Sequence, residues 1–162
     1  MRPDTPPQGS PVPEYVQKRW KDPDDPLKKR AAALGLKMVP RQIIPSTRRA
    51  HEAAEFAREQ GRLDPMHAAL LRRYWSEGQD LWSLETLRGA AVEAGLDPDE
   101  LQKAIEEGRY RPAVEEALRE AQETGIHAVP TFVFDDRFAV QGAQEYPVFK
   151  LAMDRLGAKP RK

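Results

Sequence analysis

Hydrophobic periodicity changes only once along this chain, near residue 131. Up to Thr124 the apolar residues recur at helical spacing, whereas Thr131-Phe132-Val133-Phe134 and Phe138-Ala139-Val140 are short β-branched and aromatic runs. Asp135-Asp136-Arg137 between them reads as the turn of a hairpin. A lone two-stranded hairpin is marginal in water, and its unpaired edges invite further strands. The helix expected next, Glu145 to Leu156 with Val148, Phe149, Leu151, Ala152 and Leu156, adds cover but no strand. Two strands followed by a helix therefore predict one end of a larger α/β sheet, in a chain that is otherwise mostly helical.

The helices before the hairpin have readable ends. Nine of the 15 prolines precede residue 46, so residues 1–45 read as a proline-rich lead-in with short helices, the best of them opening at Asp25-Pro26 and closing at Gly35. Residues 46–124 read as a helical domain. Its helices start at Ser46 or Thr47, at Asp64-Pro65, at Ser83, at Asp97-Pro98 and near Pro112, and glycines at 61, 78, 95 and 125 stop most of them. The expected core positions include Phe56, Met66, Leu70, Leu71, Leu87, Ala91, Val92, Leu101 and Ile105. Residues 125–158 form the hairpin-and-helix end. No repeat at solenoid period is present.

Charge and composition then exclude several function classes. Lys and Arg number 26 and Asp and Glu 26, so no basic excess points to nucleic acid or to an anionic membrane surface. No apolar run reaches the length of a membrane span, and Met1-Arg2-Pro3-Asp4 is followed by no apolar stretch, which predicts a soluble cytoplasmic protein. Cysteine is absent, so the 162 residues supply no disulfide, thiolate ligand or thiol nucleophile. Charged residues at 32% and the lack of any Asn give a thermophile-like composition.

One motif carries more than a fold class. In Gly125-Ile126-His127-Ala128-Val129-Pro130-Thr131 a helix stop leads through a short loop into Val-Pro-Thr at the head of a strand. Taken alone, a proline there is an ordinary strand-start proline, which has no N–H to give the ladder. Together with the strand pair FVFDDRFAVQ, the Gln141-Gly142-Ala143-Gln144 segment and the tracts AHEAAEFAREQG, LLRRYWSEGQDLWSLETL and AVEAGLDPDEL, it resembles the DsbA-like thiol–disulfide oxidoreductases, most of all the branch around FrnE. The similarity runs from about Pro3 to Leu156.

That resemblance implies a thioredoxin-like fold interrupted by a helical insertion. Residues 46–124 would be the insertion, and residues 125–158 the C-terminal β-β-α. It implies that Pro130 is a cis-proline and that Val129, Pro130 and Thr131, with His127 on the same loop, face a protein or peptide substrate. The plainer reading of His127 is a solvated loop histidine. The family's Cys-x-x-Cys would lie on a segment before Arg2-Pro3-Asp4; here it is missing, so the reading expects a truncated chain, or a true start upstream of Met1, that is inactive in thiol exchange as it stands. No cofactor is implied. The alternatives are a relative of 2-hydroxychromene-2-carboxylate isomerase and kappa-type transferase, which would use glutathione at the same place, and a non-catalytic binding module. Unpaired hairpin edges also predict self-association.

Other constellations carry less. His51-Glu52-Ala53-Ala54-Glu55 lacks the second histidine of a zinc helix and reads as a solvated face formed by Glu52, Glu55, Arg58 and Glu59. Trp75 and Trp82 read as anchors of the helical core. No glycine-rich phosphate loop occurs.

Overall fold

The computed structural model describes residues 5–159; the charged start at Met1-Arg2-Pro3-Asp4 lies outside the described residues. In chain order it contains β1 (Ser10–Pro11), α1 (Glu14–Lys21), α2 (Pro26–Ala33), β2 (Ile43–Ile44), α3 (Arg48–Glu59) and α4 (Leu63–Trp75). There follow α5 (Leu84–Glu93), α6 (Pro98–Glu106), α7 (Arg111–Glu123), β3 (Thr131–Phe134), β4 (Phe138–Gln141) and α8 (Tyr146–Arg155). The chain divides into two compact units, a larger one ending at Ala117 and a smaller one from Leu118 onward.

The larger unit is built on α3, α4, α5 and α6, each packed on the next and α6 back on α3. Small residues dominate the contacts: Ala53, Ala57, Ala69, Ala90, Ala91, Ala94 and Ala104 are wholly buried, with Phe56, Met66, Leu87 and Leu101 filling the space between them. Phe56 meets the Tyr110 ring edge-on at 6.1 Å. Capping follows chemistry where an acid or hydroxyl precedes the helix. Asp25 accepts from the Leu27 amide at 3.0 Å, Asp97 from the Asp99 amide at 2.8 Å, and Ser83 from the Thr86 amide.

Several local expectations fail for identifiable reasons. α4 starts at Leu63 rather than at the Asp64-Pro65 pair; its cap, Arg62, sends Nε to the Ala94 carbonyl at 2.8 Å, so a contact with the end of α5 decides the start. Leu71 and Val92 are 58% and 62% exposed, because the neighbouring alanines already fill the inward stripe. Trp75 is 38% exposed, and Trp82 lies half-buried beneath the Arg49 guanidinium, 4.2 Å from its ring centre; Leu81 is the residue that enters the core. The charged face of α3 is interrupted by Glu52, which is 3% exposed.

The lead-in also holds more order than its prolines predict. β1 pairs antiparallel with β2, Ser10 opposite Ile44 and Pro11 opposite Ile43. Strands this short have no period to read. Gly9 makes the pairing possible: its φ is 78°, and a Cβ there would come within 2.4 Å of Ile43 Cγ2 and 2.8 Å of the Ile44 carbonyl oxygen.

In the smaller unit the hairpin has the expected register, with Phe132 opposite Val140 and Phe134 opposite Phe138. Asp135 and Asp136 both adopt left-handed backbone, φ 52° and 49°, and the Arg137 amide closes the turn on the Phe134 carbonyl at 3.0 Å. α8 covers one face of the hairpin, the Phe149 ring standing edge-on to Phe132 at 4.9 Å. Among the described residues no third strand joins β3 and β4.

Two stability measurements follow from the larger unit. Leu87→Ala removes a wholly buried side chain and should cost about 2–5 kcal/mol in urea unfolding, while Val92→Ala one turn away should stay within about 0.5 kcal/mol. The Glu52 carboxyl is held above the usual carboxylate range by burial, against the opposing pull of Arg111, Arg48 and Arg49 and with a smaller push from Glu115. A raised folded-state pKa favours folding below the ordinary carboxylate value and loses that contribution as pH rises through the folded value. Glu52→Gln should therefore gain stability relative to the parent as pH is raised from about 4 to 7, where the carboxylate ionises. A urea midpoint difference that is flat across that interval contradicts the assignment.

Candidate functional site

The site begins where α7 ends. Gly125 turns into left-handed backbone at φ 73°, and the Ile126 amide reaches back to the Ala121 carbonyl at 2.8 Å, which closes the last helical carbonyls. The chain then crosses in the loop His127-Ala128-Val129-Pro130, every residue of which is exposed. The Val129–Pro130 peptide bond is cis.

Two hydrogen bonds fix this loop to the hairpin. Thr131 Oγ1 donates to the Ala128 carbonyl at 2.6 Å, and the Gly142 amide donates to the Pro130 carbonyl at 2.7 Å. The second bond brings Val-Pro-Thr and Gln-Gly-Ala-Gln, 10 or more residues apart in the sequence, to one place at the open end of the β3–β4 ladder. Gly142 bends there at φ 85°, and Gln144 holds the turn through its amide to the Gly142 carbonyl and Nε2 to the Gln141 carbonyl, both at 2.9 Å. Nothing in the Gly-Ala-Gln segment of the sequence announces this role of Gly142. The only available signal was a glycine directly after an alternating strand.

Val129 is 72% exposed, and among the described residues neither its amide nor its carbonyl has a hydrogen-bond partner. It leads directly into β3, whose edge away from β4 is unpaired among those residues. The Val129 peptide group and that edge therefore leave a short run of backbone donors and acceptors unpaired among the described residues. His127, beside them, is exposed and hydrogen-bonded to nothing among the described residues, which fits a solvated loop residue. Apolar side chains frame the edge: Phe132 and Val133 are 41% and 51% exposed.

Other chemistry is sparse. Among the described residues no cluster of three or more His, Asp or Glu could hold a metal ion, and no helix is long and apolar enough to cross a membrane. The HEAAE segment is spread over α3, with Glu52 turned inward and Glu55 paired to Arg58 at 3.0 Å.

Comparison with known proteins bears on the family and the fold. The model of the DSBA-like thioredoxin domain family matches residues 1–154. A crystal structure of a probable DsbA oxidoreductase from Streptomyces coelicolor is similar, with a TM-score of 0.81 and 30% sequence identity over 99% of this chain and 74% of that one. A candidate protein disulfide isomerase from Nitrosomonas europaea shares the fold, at a TM-score of 0.66 and 14% identity over 90% of this chain and 76% of that one. No curated protein sequence matches. Thiol–disulfide exchange, the chemistry associated with this family, calls on no metal or organic cofactor. By the family model across nearly its whole length and by its mostly helical, thioredoxin-like architecture, the chain belongs to the DSBA-like thioredoxin domain family.

Proposed function

We infer that this chain serves thiol–disulfide exchange as its substrate-holding portion, presenting the Val129–Thr131 loop and the open edge of β3 to an extended segment of a protein or peptide. The observation that carries this reading is the exposed Val129 peptide group, unpartnered beside an unpaired strand edge, in a chain that lacks cysteine. Exchange proceeds by attack of a thiolate on a disulfide sulfur, forming a mixed disulfide and releasing a second thiolate. None of those sulfurs can come from these 162 residues, so the reacting cysteines are supplied from outside them.

In this reading Val129 pairs through its backbone, Pro130 sets the direction of the strand, Thr131 anchors the loop through Ala128, and His127 flanks the bound segment. Residues 1–45 act as lead-in, 46–124 as helical insertion and 125–158 as the β-β-α portion. The order of the helical tracts supports membership in the branch around FrnE, and the lack of an apolar stretch behind Met1-Arg2-Pro3-Asp4 supports a cytoplasmic location.

Titrating the 15N-labelled chain with S-carboxymethylated insulin B chain, which has no reactive sulfur, tests the docking. Amide shifts should centre on Val129 and the outward amides of β3, and Val129→Pro, which deletes one donor, should weaken binding about five- to tenfold. Shifts confined to the helical unit, or equal affinity of the variant, would overturn the reading. In an insulin-reduction assay the unaided chain should add nothing to the rate with dithiothreitol alone.

The same edge is open to a second copy, and β3 carries no charged residue to discourage it. Sedimentation of the chain should show mass rising with concentration, and Val133→Lys should return it to monomer. A compact monomer at every concentration would refute the pairing.

A further inference from the structure

The larger unit contains a cavity that thiol exchange does not use. It measures about 180 Å³ and lies between the lead-in and the end of α4, walled by Val16, Trp20, Ile44 and Trp75 among other apolar residues. Its polar lining is cationic in balance: Arg19, Lys28 and Arg41 against one carboxylate, Asp25.

Two of the three cations are already committed. Arg19 Nε is paired to Asp25 Oδ2 at 2.7 Å, and Lys28 Nζ donates to the Trp20 and Asp22 carbonyls at 3.1 and 2.8 Å. Arg41 differs. Its guanidinium lies over the Tyr74 ring, 3.4 Å from the centroid, and donates to the Tyr74 carbonyl; no carboxylate pairs with it among the described residues. Its Nε is buried without a hydrogen-bond partner. Partial burial also lowers its pKa from the ordinary arginine value, the mark of a charge that has lost water without gaining an anion.

An unpaired guanidinium against apolar walls that include the rings of Trp20, Tyr74 and Trp75 selects its complement on three counts. The charge calls for an anion, and a carboxylate matches the planar fork. With Lys28 held on two carbonyls, only Arg41 among the three keeps a buried donor without a partner, and one such fork suits a monoanion better than a phosphate, which needs several donors. The aromatic walls favour a flat apolar body, and a volume below the usual ligand-site range of about 300–1,000 Å³ limits that body to about one ring. We propose that this cavity is a binding site for a small aromatic carboxylate, its ring between Trp20, Ile44 and Trp75 and its carboxylate turned toward Arg41. The site lies wholly within the larger unit and stands or falls independently of substrate docking at Val129.

Benzoate and its neutral counterpart benzamide provide the test, followed by NMR of the indole N–H groups in the full chain. Trp20 and Trp75 line the cavity, whereas Trp82, under Arg49, serves as the internal reference. Saturable shifts at Trp20 and Trp75 are expected with benzoate, and benzamide should bind about tenfold more weakly, the worth of one charge-assisted hydrogen bond. Arg41→Met should abolish that preference, and Arg41→Lys should keep part of it. Equal binding of the two ligands to the parent chain, shifts centred on Trp82 or the Val129 loop, or no saturation by about 10 mM, where even an efficient one-ring ligand would register, would each overturn the proposal. The comparison of ligands on the parent chain decides the matter even if an Arg41 variant misfolds.

Discussion

Close approach of helices through alanine sets the geometry of the larger unit. Ridges of small side chains let α3, α4, α5 and α6 come near one another, and Ala53, Ala57, Ala69, Ala90 and Ala104 are wholly enclosed as a result. Four large side chains, Phe56, Met66, Leu87 and Leu101, then occupy what space is left. This arrangement fixes where α4 ends. The lead-in attaches at that point, through the Val39 amide to the Trp75 carbonyl at 2.9 Å and Ser76 Oγ to the Lys37 carbonyl at 2.7 Å. Helix packing thus supplies the Arg41 cavity with Tyr74 and Trp75, and the lead-in supplies the rest of its walls.

The smaller unit rests on a different balance. Among its described residues Ala152 is the one buried hydrophobic side chain, and contact among Phe132, Phe134 and Phe149 supplies most of the remaining cover. So short a segment buries too little apolar surface to offset much chain entropy. What it has instead is a hydrogen-bonded hairpin with one face on α8, an edge that is unpaired among the described residues, and a loop whose Val129 backbone groups have no partner among them.

Much of this was legible in the sequence where local chemistry acts alone. Asp25, Ser83 and Asp97 declare their helices because a side-chain oxygen reaches an amide two or three residues on, and the hairpin declares itself because its side chains alternate about a short turn. The loop at Val129 was legible through resemblance rather than through spacing. What could not be read depends on residues far apart. Arg62 caps nothing of its own and reaches Ala94, Gly9 is required by Ile43 and Ile44, Glu52 faces Arg111 and Glu115, and Arg41 finds Tyr74. Amphipathic patterns tell which face of a helix turns inward but not which polar residue the next helix will trap, so the pattern alone puts Val92 and Leu71 inside and Glu52 outside, the reverse of their burial.

The bond from the Gly142 amide to the Pro130 carbonyl joins the two ends of the hairpin. A ladder normally frays from its open end, where the last rung has nothing beyond it. Here that end is clasped, and Val129 adjoins the clasp. Val129 is consequently bonded into the end of the ribbon through its neighbour Pro130 rather than hung from it as a free tether.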